Sequence, residues 1–417
     1  MKKDRLFLLV AFVATVVLVV GGLASCGTPA PVPTPEVVKE TVVVRETVIV
    51  EVTPEPKEPI RIGTGQPLTG PVAWIGQYYN QGLTMAAEEI NSEGGILGHP
   101  LQIFPCDNEA LADKALTCVR RLVDQDKVQI IIEMGSSSTT LAAMPLMEEY
   151  EVPFLAAIVS APSITENTGR EGGNIWAFRS CAHDGMTLEP VAKYIIPQVD
   201  TISLIAWNTA APREAAEGLK QLLEAGGVEV LSVDYTEAGQ ADYRPVITKI
   251  KGLDPGGLWF SMVARDAAVF MRQWRELGMS QQRLFSGSNV VGYEFLEAIK
   301  DDPSLGEGIT EATLYVPGLE PEFEERYLAR WGTAADYIAS AAYHSLRYVV
   351  ATAAEMAIQD TGEVTSSSLR DALEKVSVEV PAYGLIEFDG YNQAHPDMAV
   401  MQIQNGKIVL LEAISTE

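Results

Sequence analysis

The sequence predicts an α/β protein built from two doubly wound lobes, and three observations lead to this prediction. From Ile60 onward, short apolar runs alternate with segments of helical period, which is the pattern of parallel βαβ units. The stretch from Ile60 to Glu417 holds roughly 360 residues, more than a single open sheet usually needs. The C-terminal part differs, because long helical segments there are followed by strand-like runs joined by hairpin turns.

Each predicted strand is a short apolar run, and each predicted helix is a longer segment with apolar residues three and four apart. The predicted strands are Ile60–Gly63, Leu101–Phe104, Gln129–Glu133, Phe154–Ala157, Ser203–Ala206, Val228–Val233, Leu258–Ser261, Leu284–Ser286, Gly384–Phe388, Ala399–Gln404 and Ile408–Ala413. The predicted helices are Gln77–Asn91, Leu111–Asp124, Thr139–Tyr150, Met186–Ile196, Arg213–Ala225, Asp242–Lys251, Ala267–Leu277, Tyr293–Lys300, Glu320–Trp331, Ala335–Ile358 and Ser367–Lys375. Turns at 389–390 (DG) and 405–406 (NG) suit hairpins between the last three strands.

Composition and charge exclude several functions. With 47% hydrophobic and 21% charged residues, the chain can bury a sizeable core. The chain has a net charge of -26 and a pI near 4.5. A protein this acidic repels polyanions, so nucleic acid is not expected as a partner. The four cysteines contain no Cys-x-x-Cys pair and the four histidines are scattered, so no metal site is expected.

The N-terminus has the layout of a secretory signal peptide, with basic residues at positions 2, 3 and 5 ahead of the apolar run Leu6–Val20. The tetrapeptide Leu-Ala-Ser-Cys that ends at Cys26 resembles the lipobox of bacterial lipoproteins, in which the chain is cleaved before a cysteine whose thiol and new amino group are acylated. Residues 1–25 are therefore predicted to be a lipoprotein signal peptide. An uncleaved signal anchor is the alternative.

Residues 26–59 are predicted to be a spacer that begins with the acylated cysteine. Seven prolines favour extended chain at both ends of this segment. Between them, β-branched residues repeat at 41–44 and 47–50, so pairing as a hairpin or with a neighbouring chain is the alternative to a stiff stalk.

Ligands of open α/β sheets bind beyond the carboxyl ends of strands, so the loops after the predicted strands are the candidate sites. The loop 63–70 lacks the glycine spacing of a dinucleotide fingerprint, so a nicotinamide cofactor is not expected. The loop 135–140 reads GSSSTT and opens into a helix, where free amides and hydroxyls suit a carboxylate. Ordinary N-capping by serine is the alternative. Residues 160–163 (SAPS), after the next strand, add hydroxyls beside this loop.

No catalytic motif stands out. The sequence has neither a Gly-x-Ser-x-Gly elbow nor a Gly-x-x-x-x-Gly-Lys phosphate loop, and no pair of acids is distinct from an acid-rich surface. A binding protein without a cofactor is therefore expected rather than an enzyme.

Three motifs, in order and spacing, resemble those of the branched-chain amino acid (Leu/Ile/Val) binding protein family of ABC transporters. They are residues 67–73 (PLTGPVA), 89–98 (EINSEGGILG) and 135–139 (GSSST), and a weaker likeness extends over residues 60–415. The resemblance implies the type I periplasmic binding protein fold, in which two Rossmann-like lobes joined by a three-strand hinge clamp a ligand between them.

The lobe pattern of that family divides the chain in a defined way. Residues 60–182 with 315–383 are expected to form lobe 1, and residues 183–314 with 384–417 to form lobe 2. The three crossing segments are expected near Cys181–Asp184, Thr310–Tyr315 and Gly384–Phe388.

The resemblance also implies where a ligand binds. The family's carboxylate-binding serine corresponds to Ser136, its hydroxyl residue after the next strand to Ser160, and its strand-end carbonyl to Ile158. Trp74 or Ile75 takes the place of an aromatic cap on the ligand, with helix-face packing as the alternative for Trp74. The predicted ligand-binding residues are Ser136, Ser137, Ile158, Ser160, Trp74, Ile75, Asp184, Val263 and Ser288.

Two positions depart from the family pattern. Val263 stands where the family has a tyrosine, and Ser288 stands where it has the glutamate that pairs with the ligand's ammonium group. Asp184 matches an acid of a crossing segment, with helix capping as the alternative. The carboxylate half of the site is kept and the α-amino half is not, which predicts a small carboxylate or amide rather than leucine, isoleucine or valine.

The resemblance implies a membrane-anchored, extracytoplasmic lipoprotein, periplasmic or on the cell surface, that delivers a solute to the transmembrane subunits of an ABC permease. The alternative is the ligand-sensing receptor subunit of a signalling system with the same fold. In such an oxidising compartment a disulfide between Cys106 and Cys118 is one of two open outcomes. If it forms, Cys181 is left as an unpaired, buried thiol.

Overall fold

The computed structural model describes residues 57–287 and 290–414. The predicted signal peptide, the acylation site Cys26 and nearly all of the spacer lie outside the described residues, and so does Ser288. Within these two described stretches, no helix combines the length and the hydrophobicity that a membrane span needs.

The described chain alternates strands and helices over most of its length. The strands are β1 (Ile60–Gln66), β2 (Leu101–Asp107), β3 (Ile130–Ile132), β4 (Phe154–Ala156), β5 (Ala177–Arg179), β6 (Thr201–Trp207), β7 (Glu229–Thr236), β8 (Gly257–Ser261), β9 (Arg283–Ser286), β10 (Thr310–Thr313), β11 (Ser377–Val380), β12 (Gly384–Glu387), β13 (Met398–Gln404) and β14 (Lys407–Ile414). The α-helices are α1 (Ala73–Ser92), α2 (Ala112–Asp124), α3 (Ser137–Glu149), α4 (Pro162–Thr165), α5 (Gly169–Gly172), α6 (Asp184–Ile195), α7 (Ala210–Ala225), α8 (Arg244–Leu253), α9 (Ala264–Glu276), α10 (Tyr293–Ala298), α11 (Pro321–Trp331), α12 (Tyr337–His344), α13 (Ala351–Thr361) and α14 (Ser366–Leu373). A 3-10 turn covers Pro303–Gly306, and a π-helical segment, Ser345–Val350, joins α12 to α13.

The first sheet has the strand order β2-β1-β3-β4-β5, is parallel throughout and forms the centre of lobe 1. Helices α2 and α3 cover one face, and α1, α12 and α13 cover the other. The sequence of α2 explains its position, because its buried residues Ala115, Cys118, Val119 and Leu122 are spaced three and four apart along one side.

The second sheet has the strand order β14-β13-β10-β9-β8-β6-β7 and forms the centre of lobe 2. Strands β6 to β10 run parallel, and the β13–β14 hairpin adds two antiparallel strands at one edge. Helices α6 and α7 cover one face, and α8, α9 and α10 cover the other. Every residue of β8 is buried, as expected for a parallel strand with helices on both sides. The predicted fold of two doubly wound lobes is confirmed.

One predicted crossing segment, Gly384–Phe388, is misplaced, whereas the chain does pass between the lobes within Thr310–Tyr315, because Leu314 and Tyr315 pack in the lobe 1 core. Thr310–Thr313 is strand β10, which pairs with β9 and β13 inside the lobe 2 sheet. Gly384–Glu387 is strand β12, which pairs with β11 rather than crossing, and its Ile386 packs in the lobe 1 core. The chain still contacts lobe 1 beyond that point, since the Arg179 amide donates to the Asn392 carbonyl (2.8 Å). A short apolar run predicts a strand but does not predict which strand it pairs with. The sequence therefore could not show that β12 belongs with β11 in lobe 1.

The first strand is longer than predicted. It continues to Gln66, so Gly63 and Gly65 lie within β1 instead of in the loop that follows it. A Cβ atom at Gly65 would lie 2.6 Å from the Met134 sulfur. The glycine at this position therefore serves close packing between neighbouring strand ends.

The cysteines divide into one bridge and one free thiol. Cys106 of β2 and Cys118 of α2 form a disulfide with their Cα atoms 5.7 Å apart, which ties the helix to the edge of the lobe 1 sheet. Cys181 is free and buried, and burial raises its pKa to about 12. A thiol with so high a pKa carries almost no thiolate at neutral pH and is unreactive.

Candidate ligand-binding cleft

A cavity of about 160 Å³ lies between the two lobes, at the carboxyl ends of strands from both sheets. The loops after β3 and β4 line it from lobe 1, and the loops after β6 and β8 line it from lobe 2. Its volume suits a small organic molecule. The lining residues are Trp74, Ile75, Gly135, Ser136, Ser137, Ser138, Ile158, Val159, Ser160, Asp184, Trp207, Thr209, Ala210, Ala211, Pro212, Ser261, Met262, Val263, Tyr337 and Ile338.

The start of helix α3 provides unpaired donors to this cavity. Ser136 is the N-cap, and its Oγ accepts from the Thr139 amide (3.2 Å) and lies 2.7 Å from the Thr139 hydroxyl. The amides of Ser137 and Ser138 have no acceptor within the described part of the chain. Free amides at the positive end of a helix bind anions well. The structure thus shows the N-capping that the sequence suggested and leaves two amides for a ligand.

The loop after β4 is connected both to this helix start and to α6. The Ser137 hydroxyl accepts from the Ala161 amide (3.2 Å), which joins the loops after β3 and β4. The Ser160 hydroxyl donates to Asp184 Oδ2 (3.0 Å), and the Asp184 amide donates to the Ser160 carbonyl (2.7 Å). Ser160 and Asp184 are therefore held as a pair at the edge of the cavity.

A buried glutamate organises both loops from beneath. Glu133 is fully buried, and its Oε1 accepts from the amides of Met134 (2.8 Å) and Gly135 (3.1 Å). Its Oε2 accepts from the amides of Ala157 (2.9 Å), Ile158 (2.8 Å) and Val159 (3.4 Å). One carboxylate thus fixes the backbone on which Ser136 and Ser160 stand.

Lobe 2 contains a similar arrangement. Glu311 of β10 is fully buried, and its Oε2 accepts from the Ser286 hydroxyl (2.8 Å) and from the amides of Val290 (3.1 Å) and Val291 (2.8 Å). A carboxylate that accepts several N–H and O–H groups is stable without an adjacent cation. In each lobe, one buried acid therefore holds a strand-end loop in place.

Two tryptophans, one from each lobe, contribute apolar wall to the cavity. Trp74 comes from α1 of lobe 1 and Trp207 from the end of β6 in lobe 2, and both are buried. The Trp207 indole donates to Asp266 (3.0 Å), and the Arg265 guanidinium lies over the Trp74 ring, 5.6 Å from its centroid. Each ring is therefore fixed by a charged group outside the cavity.

The cavity is poor in formal charge. Asp184 is the one carboxylate among the described lining residues, and none of them is lysine, arginine or histidine. Asp266 lies behind Trp207, where burial raises its pKa although Trp207, Tyr243 and the Gly239 amide all donate to it. Glu294 forms an ion pair with Arg265. Both acids are thus engaged away from the cavity.

Hydrogen bonds join the lobes around the cleft. The Ser163 amide and hydroxyl of lobe 1 donate to the Glu214 carboxylate of lobe 2 at 3.0 and 2.6 Å. The Ala210 amide donates to the Ser138 hydroxyl (3.4 Å), and the Tyr78 hydroxyl donates to Glu294 (3.3 Å). The structure therefore represents a closed arrangement of the lobes.

The structure brings together all predicted site residues whose placement it describes. Residues Trp74, Ile75, Ser136, Ser137, Ile158, Ser160, Asp184 and Val263 line the one cavity, and Ser288 lies outside the described residues. Their contact with a ligand remains a prediction. Sequence analysis missed Glu133, Trp207 and Ser261, although Glu133 and Ser261 end predicted strands and Trp207 directly follows one, which is where ligand residues of open sheets lie.

This fold, with its cleft between two doubly wound lobes, defines a solute-binding protein of the type I periplasmic class. The chain belongs to the periplasmic binding protein family, and the model of that family matches residues 59–407. The resemblance noted in the motifs is thereby confirmed, and the family is one of binding proteins rather than enzymes.

Individual relatives are similar over most of their length. The leucine-, isoleucine-, valine-, threonine- and alanine-binding protein of Pseudomonas aeruginosa is 25% identical over 332 residues, 79% of this chain and 86% of the relative. The branched-chain amino acid binding protein LivJ of Streptococcus pneumoniae, solved with isoleucine, has a TM-score of 0.75 at 22% identity, covering 85% of this chain and 99% of LivJ. A solute-binding protein of Rhodopseudomonas palustris, solved with benzoate, has a TM-score of 0.75 at 18% identity, covering 85% and 96%. At these levels of identity, the two structural comparisons show a shared fold.

Proposed function

We propose that this protein is the solute-binding subunit of an ABC transporter and that it captures a small carboxylate or amide lacking an α-ammonium group. One observation carries the proposal: the cavity offers the unpaired amides of Ser137 and Ser138 to an anion and offers little to a cation. Its one described carboxylate, Asp184, already accepts from Ser160. At position 288, where the resembling family has a glutamate for the ammonium, this chain has serine.

The ligands named for solved relatives fall into two kinds. LivJ was solved with isoleucine, which carries an ammonium group. Two Rhodopseudomonas palustris proteins were solved with benzoate and with 3,4-dihydroxybenzoic acid, which carry none. The charge pattern of this cavity favours the second kind of ligand for this chain.

The ligand's orientation follows from the chemistry of the walls. Its carboxylate faces the start of α3, where the Ser137 and Ser138 amides donate to it and the Ser136 hydroxyl turns from Thr139 to donate as well. Its apolar part lies against Trp74 and Trp207, whose rings supply a large contact area. Since these residues belong to both lobes, binding stabilises the closed arrangement.

Leucine and its deaminated analogue, 4-methylpentanoate, form the pair that tests this function. We expect leucine to bind at least about a hundredfold more weakly than 4-methylpentanoate, because a buried ammonium without an acidic partner costs about 3 kcal/mol. Isothermal titration calorimetry of the purified chain gives both dissociation constants. A Ser288→Glu variant, which restores the family's acid, is expected to shift the preference towards leucine. Tight leucine binding by the unchanged protein, without binding of the analogue, would refute the proposal.

Lipid anchoring at Cys26 belongs to the same proposal. The body is acidic and its described part has no membrane-spanning helix, so attachment is expected to depend on the acylated cysteine. Cys26→Ala is expected to move the protein from the membrane to the soluble fraction and to remove the diacylglycerol mass from its N-terminal peptide. Cys181→Ala, which removes a buried thiol instead, is the control and should leave both unchanged. If the protein with Cys26 intact also lacks the diacylglycerol mass on its N-terminal peptide, the proposed anchor is contradicted.

A further inference from the structure

The lobe 2 wall of the cavity contains a serine whose hydroxyl has no hydrogen-bond partner in the described part of the chain. Ser261 is the last residue of β8, is 8% exposed and lines the cavity. The residue is mostly buried, but its unpartnered hydroxyl is accessible from the cavity and is therefore available to a ligand.

The adjoining helix start is also open. Thr209 is the N-cap of α7, yet its side chain makes no capping hydrogen bond. Pro212 in the first turn has no N–H, and the Ala211 amide has no acceptor within the described residues. Thr209, Ala211 and Pro212 line the same cavity as Ser261. The wall therefore presents two hydroxyls and one amide at the positive end of a helix of 16 residues.

Space next to the Ser261 hydroxyl is kept free by a glycine. A Cβ atom at Gly287 would lie 2.7 Å from the Ser261 Oγ. Any side chain at this position would therefore press on the hydroxyl. Glycine at position 287 therefore avoids a clash with the Ser261 side chain.

We propose that Ser261, Thr209 and the Ala211 amide form a second polar subsite, which binds a carbonyl or carboxylate oxygen of the ligand. The donors and the helix dipole favour an oxygen acceptor and disfavour an ammonium group at this wall. This inference rests on the proposed function, because it assigns the first carboxylate to α3. The ligand then carries oxygen groups at two ends, as in a dicarboxylate or an oxo acid.

Matched pairs of small acids test the subsite by calorimetry on the full chain. The pairs are pentanoate with glutarate, benzoate with terephthalate, and 4-methylpentanoate with 4-oxopentanoate. In at least one pair, the acid with the second oxygen group is expected to bind about tenfold more tightly. Ser261→Ala is expected to remove most of this advantage and to leave the affinity for the simple acid unchanged. Thr209→Val is also expected to reduce the advantage of the second oxygen group.

The control is Ser203→Ala, which removes a buried serine from β6 in the same sheet, away from the cavity. It should change neither affinity. If simple acids bind but no second oxygen group improves binding, or if Ser261→Ala weakens both members of a pair equally, the subsite is refuted and the proposed function stands. If no carboxylate binds at all, the subsite fails and so does the carboxylate form of the proposed function.

Discussion

Replacing Glu133 by glutamine is expected to lower the free energy of unfolding by about 4 kcal/mol. The buried carboxylate accepts five backbone amides, three of them within 2.9 Å, and a charged acceptor makes stronger hydrogen bonds than a neutral one. Glutamine has one carbonyl oxygen, so its NH2 group would point at amides that need an acceptor. Urea unfolding of the purified protein measures the loss.

The control for this change lies on the neighbouring helix. Glu148 of α3 is exposed, and Glu148→Gln is expected to change the free energy of unfolding by less than about 0.5 kcal/mol. Because Glu133 fixes the loops that carry Ser136 and Ser160, its variant should also lose ligand affinity at temperatures where it is still folded. A Glu133→Gln protein as stable as the Glu148→Gln protein would show that the carboxylate does not hold these loops.

Replacing Ser136 by aspartate is expected to weaken carboxylate binding about a thousandfold, close to 4 kcal/mol, while leaving the protein stable. Aspartate is as good an N-cap as serine and is favourable at the positive end of a helix, so α3 should keep its cap. The added negative charge, however, would face the ligand's carboxylate across a closed cavity. Calorimetry with 4-methylpentanoate measures the affinity, and thermal unfolding measures the stability.

Thr365→Asp is the control, because it also places an aspartate at the N-cap of a helix but lies outside the ligand site. Thr365 is the N-cap of α14, accepts from the Ser368 amide and does not line the cavity. This variant is expected to bind 4-methylpentanoate as the unchanged protein does. Equal affinities of the Ser136→Asp and Thr365→Asp proteins would remove the α3 start from the ligand site.

Much of the fold was predictable because periodicity reports burial directly. The four buried residues of α2 are spaced as a one-sided helix requires, and β8 reads as a continuous apolar run because helices cover both of its faces. Strands β5 and β10 were not predicted as strands. Each is only three or four residues long, and their assignment depends on neighbours distant in sequence.

The C-terminal strands also differ in how strongly the local sequence predicts their pairing. The β13–β14 hairpin followed from the Asn-Gly turn at 405–406, since that dipeptide selects a tight turn by its own backbone preference. Strand β12 has no such local signal. It pairs with β11 across residues 381–383, a tight turn that contains neither Asn-Gly nor Asp-Gly, and Ile386 packs into the lobe 1 core.

Site residues were predictable to the extent that they follow strands. Ser136 and Ser160 stand after β3 and β4, in loops rich in hydroxyls, and the structure places both at the cavity. Glu133 gave no distinct signal, because an acid at a strand end is ordinary in a chain with 56 acidic residues. Its role is evident only from the structure, in which amides of two loops donate to its side chain.

The identity of the small molecule bound to the protein tests the ligand class most directly. The protein is purified from its native membranes without denaturation, and the molecules released on unfolding are identified by mass spectrometry. A carboxylic acid or amide without an α-amino group, present in a one-to-one ratio, is the predicted result. Leucine, isoleucine, valine or another α-amino acid at that ratio would contradict the account.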